Sequence, residues 1–319
     1  MLTVNAEYTA RALAFDTLIP ALRNGFVRGA HTPDRHHHTI DATTDSTLLL
    51  MPSWSDGEYL GVKLVNVFPA NSTFGLPALS SAFVLASAAT GKHLAVIDGN
   101  ELTRRRTVAT SALAASYLAR KDSSVQLIVG AGHVGSLAAA AYSAVLDIQT
   151  VLVYDQNPAA VERLINQLAN DGIDARPVTD VPTAVAHADI ITCATLATSP
   201  VIHGDWLRPG THLDLIGSFR PTMREADDEC VRRGTVYLDS LVALEESGDL
   251  TQPIAAGVLD PASVAGTLPE LCRGELPARA DNEQVTVFKT VGTALADLTA
   301  AALVYRAAGQ PVQRIHQES

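Results

Sequence analysis

The chain has 319 residues, 47% of them hydrophobic and 18% charged, a globular balance with enough length for two domains. Its net charge of −11 argues against a nucleic acid or an anionic membrane as partner, and the densest basic cluster is Arg104-Arg105-Arg106. Cys193, Cys230 and Cys272 are too few and too scattered for a disulfide framework or a zinc site. With no leader and no apolar run of membrane length, the expectation is a cytoplasmic protein without a metal.

In chain order, Arg35 precedes His36-His37-His38 in an extended or loop segment. Three consecutive imidazoles cannot converge on one metal, and a structural or exposed histidine run is expected. Residues 47–51, 59–68, 78–86 and 93–98 read as strands. Alternation puts Lys63 on one face with Val65 and Val67, where an ammonium is costly unless paired. Lys63 is therefore a candidate carboxylate partner or proton donor, the alternative being a snorkelling edge-strand lysine. Thr103 reads as the N-cap of a helix running to about Arg120. Its first turn would then carry Arg104, Arg105 and Arg106, which the helix dipole disfavours by about a few tenths of a kcal/mol each. A substrate carboxylate gripped by a guanidinium would compensate, with Arg104 and Arg105 read as solvated and Arg106 as the gripping residue.

Residues 125–135 read Val-Gln-Leu-Ile-Val-Gly-Ala-Gly-His-Val-Gly, a strand, a phosphate-cradling turn and a helix start. Gly130 permits the tight turn, Gly132 opens the backbone to a pyrophosphate, and Gly135 lets helix and strand pack closely. His133 and Val134 complete the turn, and the helix N-terminus supplies donors for phosphate. A second apolar run, 150–154, ends in Asp155, where the acidic ribose-binding residue is expected. Asp155 favours NADH over NADPH and leaves NADPH admissible. Strand and helix patterns then alternate: helices 158–170 and 182–187, strands 190–194, 212–216 and 236–239. Such alternation implies α/β architecture, a Rossmann-type doubly wound parallel sheet. Residues 286–306 read as one long apolar helix returning to the first segment. The expected division is residues 1–119 with 286–319, and a dinucleotide-binding domain over 120–285.

Several stretches in order resemble the ornithine cyclodeaminase/μ-crystallin family across nearly the whole chain. They are Gly61 to Val65, Asp98 to Thr103, Arg106 to Ala112, the glycine turn, Thr195 to Pro200, Gly217 to Glu225 and Val287 to Gly292. The resemblance implies a homodimer in which an α+β substrate-binding and dimerisation domain is joined to the Rossmann domain. It also implies that Arg35, Lys63 and Arg106 hold a substrate carboxylate facing the nicotinamide, and that Thr107, Thr110, Thr195, Leu196 and Ser218 line the cofactor site. Ornithine cyclodeaminases carry an Asp after a Gly-Gly or Gly-Ala pair, with a Lys four residues later; here Phe219 and Met223 stand there. A Thr that contacts substrate in those enzymes is Ala78, with Ser80 or Ser81 as substitutes. Without the carboxylate, an amine or attacking water lacks its partner, and Phe219 offers an apolar wall instead. The resemblance therefore leans to the ketimine reductases, which reduce Δ1-pyrroline-2-carboxylate and Δ1-piperideine-2-carboxylate. An alanine-type dehydrogenase, an ornithine cyclodeaminase and a non-catalytic small-ligand binder are the alternatives.

Overall fold

A computed structural model describes residues 1–309. The chain begins β1 (Leu2–Val4), α1 (Ala6–Ala12), α2 (Phe15–Arg28), β2 (His36–Asp41), β3 (Ser46–Trp54), β4 (Tyr59–Val67), β5 (Leu79–Ser87), β6 (His93–Asp98) and α3 (Gly99–Leu118). It continues with β7 (Val125–Val129), α4 (Ala138–Ser143), β8 (Thr150–Tyr154), α5 (Pro158–Asn170), β9 (Ala175–Pro177), α6 (Val181–His187), β10 (Ile190–Cys193) and β11 (His212–Leu215). Then come α7 (Asp228–Arg233), β12 (Thr235–Leu238), α8 (Ala243–Glu246), α9 (Gly248–Ala255), β13 (Gly266–Thr267), α10 (Leu268–Arg273), β14 (Thr286–Lys289) and α11 (Ala294–Ala307). None of the described helices is long and apolar enough to cross a membrane.

The chain clusters into two compact units, Met1–Arg106 with the stretch from Thr293, and Thr107–Gly292. In the first, a sheet of order β1-β6-β5-β4-β3-β2 is antiparallel except for the β1–β6 pair. One face is covered by α11, which also packs on α2. In α2 the residues Phe15, Leu18, Ile19, Leu22 and Phe26 recur at helical spacing and are buried, so the helix presents one apolar stripe. The two helices meet closely at Gly25, where an added Cβ would stand 2.4 Å from Thr299 Oγ1.

In the second unit the sheet has the order β13-β12-β14-β11-β10-β7-β8-β9 and is parallel throughout. This is the expected Rossmann-type doubly wound sheet, and its strand order reverses between β7 and β10, where ligands bind in such folds. The strands β7, β10 and β11 are buried on both faces, as a sheet with helices on either side requires. Local capping sets the surrounding helices: Asn157 accepts from Ala159 N ahead of α5, and Asp180 accepts from Thr183 N ahead of α6, each followed by a proline in the first turn.

Three sequence expectations are corrected. Residues 286–306 are not one helix: β14 lies between β11 and β12, and α11 begins only after Gly292, at φ 82°, and the N-cap Thr293. The run Val285-Thr286-Val287 is β-branched and suits a strand buried on both sides. Second, α3 starts at Gly99 and not after Thr103, because Asp98 Oδ1 accepts from Glu101 N at 2.8 Å. The three arginines therefore sit one turn deeper than expected. Third, residues 107–119 and 286–292 cluster with the second unit. Leu118 O accepts there from Arg279 Nε and Thr286 Oγ1, which ties the end of α3 to β14. Residues 310–319 of the expected first domain lie outside the described residues.

Candidate active site

Lys63 is central in β4, paired with Met51 and Phe83, on the face that α11 covers. It is not an edge-strand lysine: its side chain is 3% exposed and its Nζ lies 2.7 Å from Asp297 Oδ2. The other carboxylate oxygen, Oδ1, accepts from Arg106 Nε at 2.8 Å. Asp297 is fully buried in the first turn of α11, so one carboxylate serves two buried cations. Burial pushes the Lys63 ammonium down to about 8, the charges of Arg106 and Arg35 push the same way, and Asp297 opposes them. The structure thus gathers Arg35, Lys63 and Arg106 as the sequence suggested, and adds Asp297, which the sequence reading missed. Its signal was an aspartate inside the apolar run Ala294-Leu295-Ala296-Asp297-Leu298, costly there without a partner.

The other two arginines, expected to be solvated, have an internal anion instead. Glu101 accepts from Arg105 Nε at 2.6 Å and lies 3.3 Å from Arg104 Nη1, so both are partly buried in ion pairs and not solvated. Two buried cations thus share the carboxylate of Asp297, and the charge of the partly buried Arg35 also bears on Lys63. His36 to His38 lie exposed in β2, with the His36 and His38 rings 6.3 Å apart.

In the second unit a cavity of about 380 Å³ opens at the β7/β10 switch, lined by Gly130, Gly132, Asp155, Thr195, Leu196 and Val201 among others. The turn fits a dinucleotide. Gly130 has φ 103° and an added Cβ would meet Ala194 O at 2.6 Å; at Gly135 it would meet Gly130 O at 1.8 Å. At Gly132, by contrast, nothing lies within 4 Å of that position, which leaves its backbone open to a pyrophosphate. Asp155 holds the turn in shape: Oδ2 accepts from Ala131 N at 2.7 Å and Oδ1 from Asn157 N at 2.8 Å. Each carboxylate oxygen keeps a further lone pair for a ribose hydroxyl.

The remaining expected residues are less uniform. His133 is exposed and Val134 partly buried in the turn. Thr107 is partly buried and Thr110 buried in α3. Ser218 is fully buried, and its hydroxyl donates to Met223 O at 2.9 Å and lies 3.0 Å from Ser247 Oγ. Phe219 is 42% exposed, with the Arg220 guanidinium 5.9 Å from its ring centre, while Met223 is buried in the core. Ser81 donates to Asn100 Oδ1 at 2.9 Å.

Comparison with known proteins finds relatives similar over most of the chain. The chain is 40% identical over 262 residues to a Δ1-pyrroline-2-carboxylate reductase of Paracoccus denitrificans, covering 82% of this chain and 83% of that protein. It is 35% identical over 258 residues to the ketimine reductase mu-crystallin of Mus musculus, covering 80% and 79% of the two. A solved Δ1-pyrroline-2-carboxylate reductase of Thermococcus litoralis, in complex with NADH and L-proline, superposes with a TM-score of 0.92 at 33% identity over 97% of each chain. The sequence profile described as ornithine cyclodeaminase/mu-crystallin family matches residues 2–310, and it is to this family that the chain belongs.

Proposed function

We propose that the protein is an oxidoreductase that reduces cyclic ketimine carboxylates, Δ1-pyrroline-2-carboxylate and Δ1-piperideine-2-carboxylate, to L-proline and L-pipecolate with a nicotinamide cofactor. The observation that carries this reading is the single carboxylate of Asp297 shared by buried Lys63 and Arg106, with the charge of Arg35 also bearing on Lys63. Arg106, its guanidinium oriented by Asp297, and Arg35 take the substrate carboxylate. Bound NADH supplies the hydride for C2 of the ring. Lys63 supplies an ammonium to the carboxylate or to the imine nitrogen, and its lowered pKa of about 8 makes it a readier proton donor than an ordinary lysine. Catalysis then rests on positioning and charge and needs no nucleophile. Phe219, standing where cyclodeaminases carry an aspartate, provides no base for an ornithine amine. The test is NADH oxidation with the two imines and with pyruvate plus ammonia, and ammonia release from ornithine with catalytic NAD, since cyclodeamination leaves no net change in NADH. Turnover of the imines supports the reading; turnover of ornithine alone overturns it.

Asp155 underlies a preference for NADH, since its carboxylate repels a 2′-phosphate and accepts from ribose hydroxyls. Replacing it, Asp155→Ser, is expected to move the NADH to NADPH ratio of kcat/KM by about tenfold towards NADPH; an unmoved ratio would clear Asp155 of that role.

The homodimer is proposed to form on the sheet face of the first unit opposite α11. There Trp54 is 37% and Leu60 39% exposed beside Val62 and Val84, around an open cavity of about 670 Å³. That cavity is larger than the one at the glycine turn but contains no buried cation, which is why it is read as a surface for a second copy and not as a site of chemistry. Trp54→Glu with Leu60→Glu is expected to give a monomer by light scattering, and a persisting dimer would place the interface elsewhere.

A further inference from the structure

We infer that Glu225, backed by Asp249 and Lys289, is the positioning residue that sets the loop 195–202 against the glycine turn in the shape that receives NADH. The inference rests on the reading that the cavity at Gly130 and Thr195 takes that cofactor.

Glu225 clamps the loop at both ends. Its Oε1 accepts from Thr195 N at 2.7 Å and Thr195 Oγ1 at 2.8 Å, and its backbone carbonyl accepts from Val201 N at 2.8 Å and Ile202 N at 3.0 Å. Its Oε2 accepts from Gly217 N at 2.6 Å, so one carboxylate staples the chain after β10 to the chain after β11. Those two segments are already in backbone contact, for a Cβ on Gly217 would stand 2.0 Å from Thr195 O. Gly130 also lies close to Ala194, where an added Cβ would meet its carbonyl oxygen at 2.6 Å, and a loop displaced towards the turn would close the cavity that Thr195 and Val201 line.

All three groups on the side chain are donors, which only a carboxylate can satisfy with both oxygens. A fully buried carboxylate needs a countercharge, and Lys289 at the end of β14 supplies it. Lys289 Nζ lies 3.3 Å from Asp249 Oδ2, and Asp249 Oδ1 accepts from Glu225 N at 2.7 Å and Ala226 N at 3.1 Å. Burial holds the Glu225 carboxyl above its usual range, Lys289 opposes that rise and Asp249 adds to it. The charge of Glu225 in turn bears on Asp214 on β11 and Cys193 on β10 and raises both. As pH falls and Glu225 takes a proton, one of its oxygens becomes a donor facing a donor, and the loop loses its anchor.

The test measures the NADH dissociation constant by fluorescence titration against pH, and the NADH-induced rise in Tm, for the wild type, Glu225→Gln and Lys289→Met. Glu225→Gln is expected to weaken NADH by about tenfold or more at neutral pH, one charge-assisted hydrogen bond's worth, and to remove the acid limb of the affinity profile. Lys289→Met, which leaves the carboxylate in place without its countercharge, should move that limb to higher pH and restore near wild-type affinity above it. A role in folding alone would lower Tm in both variants and leave the pH profile of NADH affinity where it was; that result overturns the inference. Should Glu225→Gln fail to fold, the shifted limb in Lys289→Met decides alone. A wild type that does not bind NADH overturns the cofactor reading, and this inference with it, whereas wild-type affinity in a folded Glu225→Gln overturns the inference alone.

Discussion

Arg106→Ala is expected to lower kcat/KM for the imine by about two to three orders of magnitude while the protein still binds NADH. Arg106 is 4% exposed and its Nε donates to Asp297, which fixes the orientation of its planar fork. Removing one partner of a buried charge pair costs about 2–5 kcal/mol, which corresponds to the loss stated at about 1.4 kcal/mol per tenfold. Arg106→Lys should recover little, because a point charge does not reproduce a bidentate grip. The informative control is a small neutral aromatic ligand: a binding protein without catalysis would keep its affinity for such a ligand in Arg106→Ala.

Asp297→Asn carries the second large effect, this time on stability and on pH dependence together. The substitution keeps the side-chain shape and removes the negative charge that raises the Lys63 pKa, leaving the buried Lys63 and Arg106 facing one another. Loss of a buried partner of this kind costs about 3–5 kcal/mol, read as a fall in denaturant midpoint at neutral pH. In the wild type Lys63 is an ammonium below about pH 8 and loses its charge above it, so kcat/KM for an anionic substrate should be level below that pH and fall above it. Without Asp297 the opposing attraction is gone, the Lys63 pKa drops further, and the alkaline limb moves to lower pH. The folded pKa then lies below the unfolded value, the unfolded chain binds more protons, and the stability of Asp297→Asn should rise with pH across that interval. An unshifted limb would separate Lys63 from the activity.

Much of the dinucleotide unit was legible because its signals are local. The glycine spacing, the strand that ends in Asp155, and the caps Asn157 and Asp180 all act within a few residues, and the parallel sheet follows from their alternation. Lys63 was legible because alternation within one strand exposes an ammonium on an apolar face. The partner that explains it was not, since Asp297 meets Arg106 across 191 positions of sequence. The same distance effect hid Glu225, whose acceptors and donors come from three segments. Residues 286–306 were misread because a short apolar run fits a buried strand as well as a helix, and only Gly292 and Thr293 mark the break. The arginine run was given an external anion because the helix start was placed at Thr103; with Asp98 as the cap, Glu101 is brought within reach of two of the three.

At the centre of the account is the claim that the cations around Asp297 hold the carboxylate of a cyclic imino acid. Inhibition of Δ1-pyrroline-2-carboxylate reduction by L-proline and by L-prolinamide, the same ring without the negative charge, tests it most directly. Competitive inhibition by L-proline, lost in Arg106→Ala and weaker by at least about tenfold with the amide, is the predicted result. Equal inhibition by the two would contradict it.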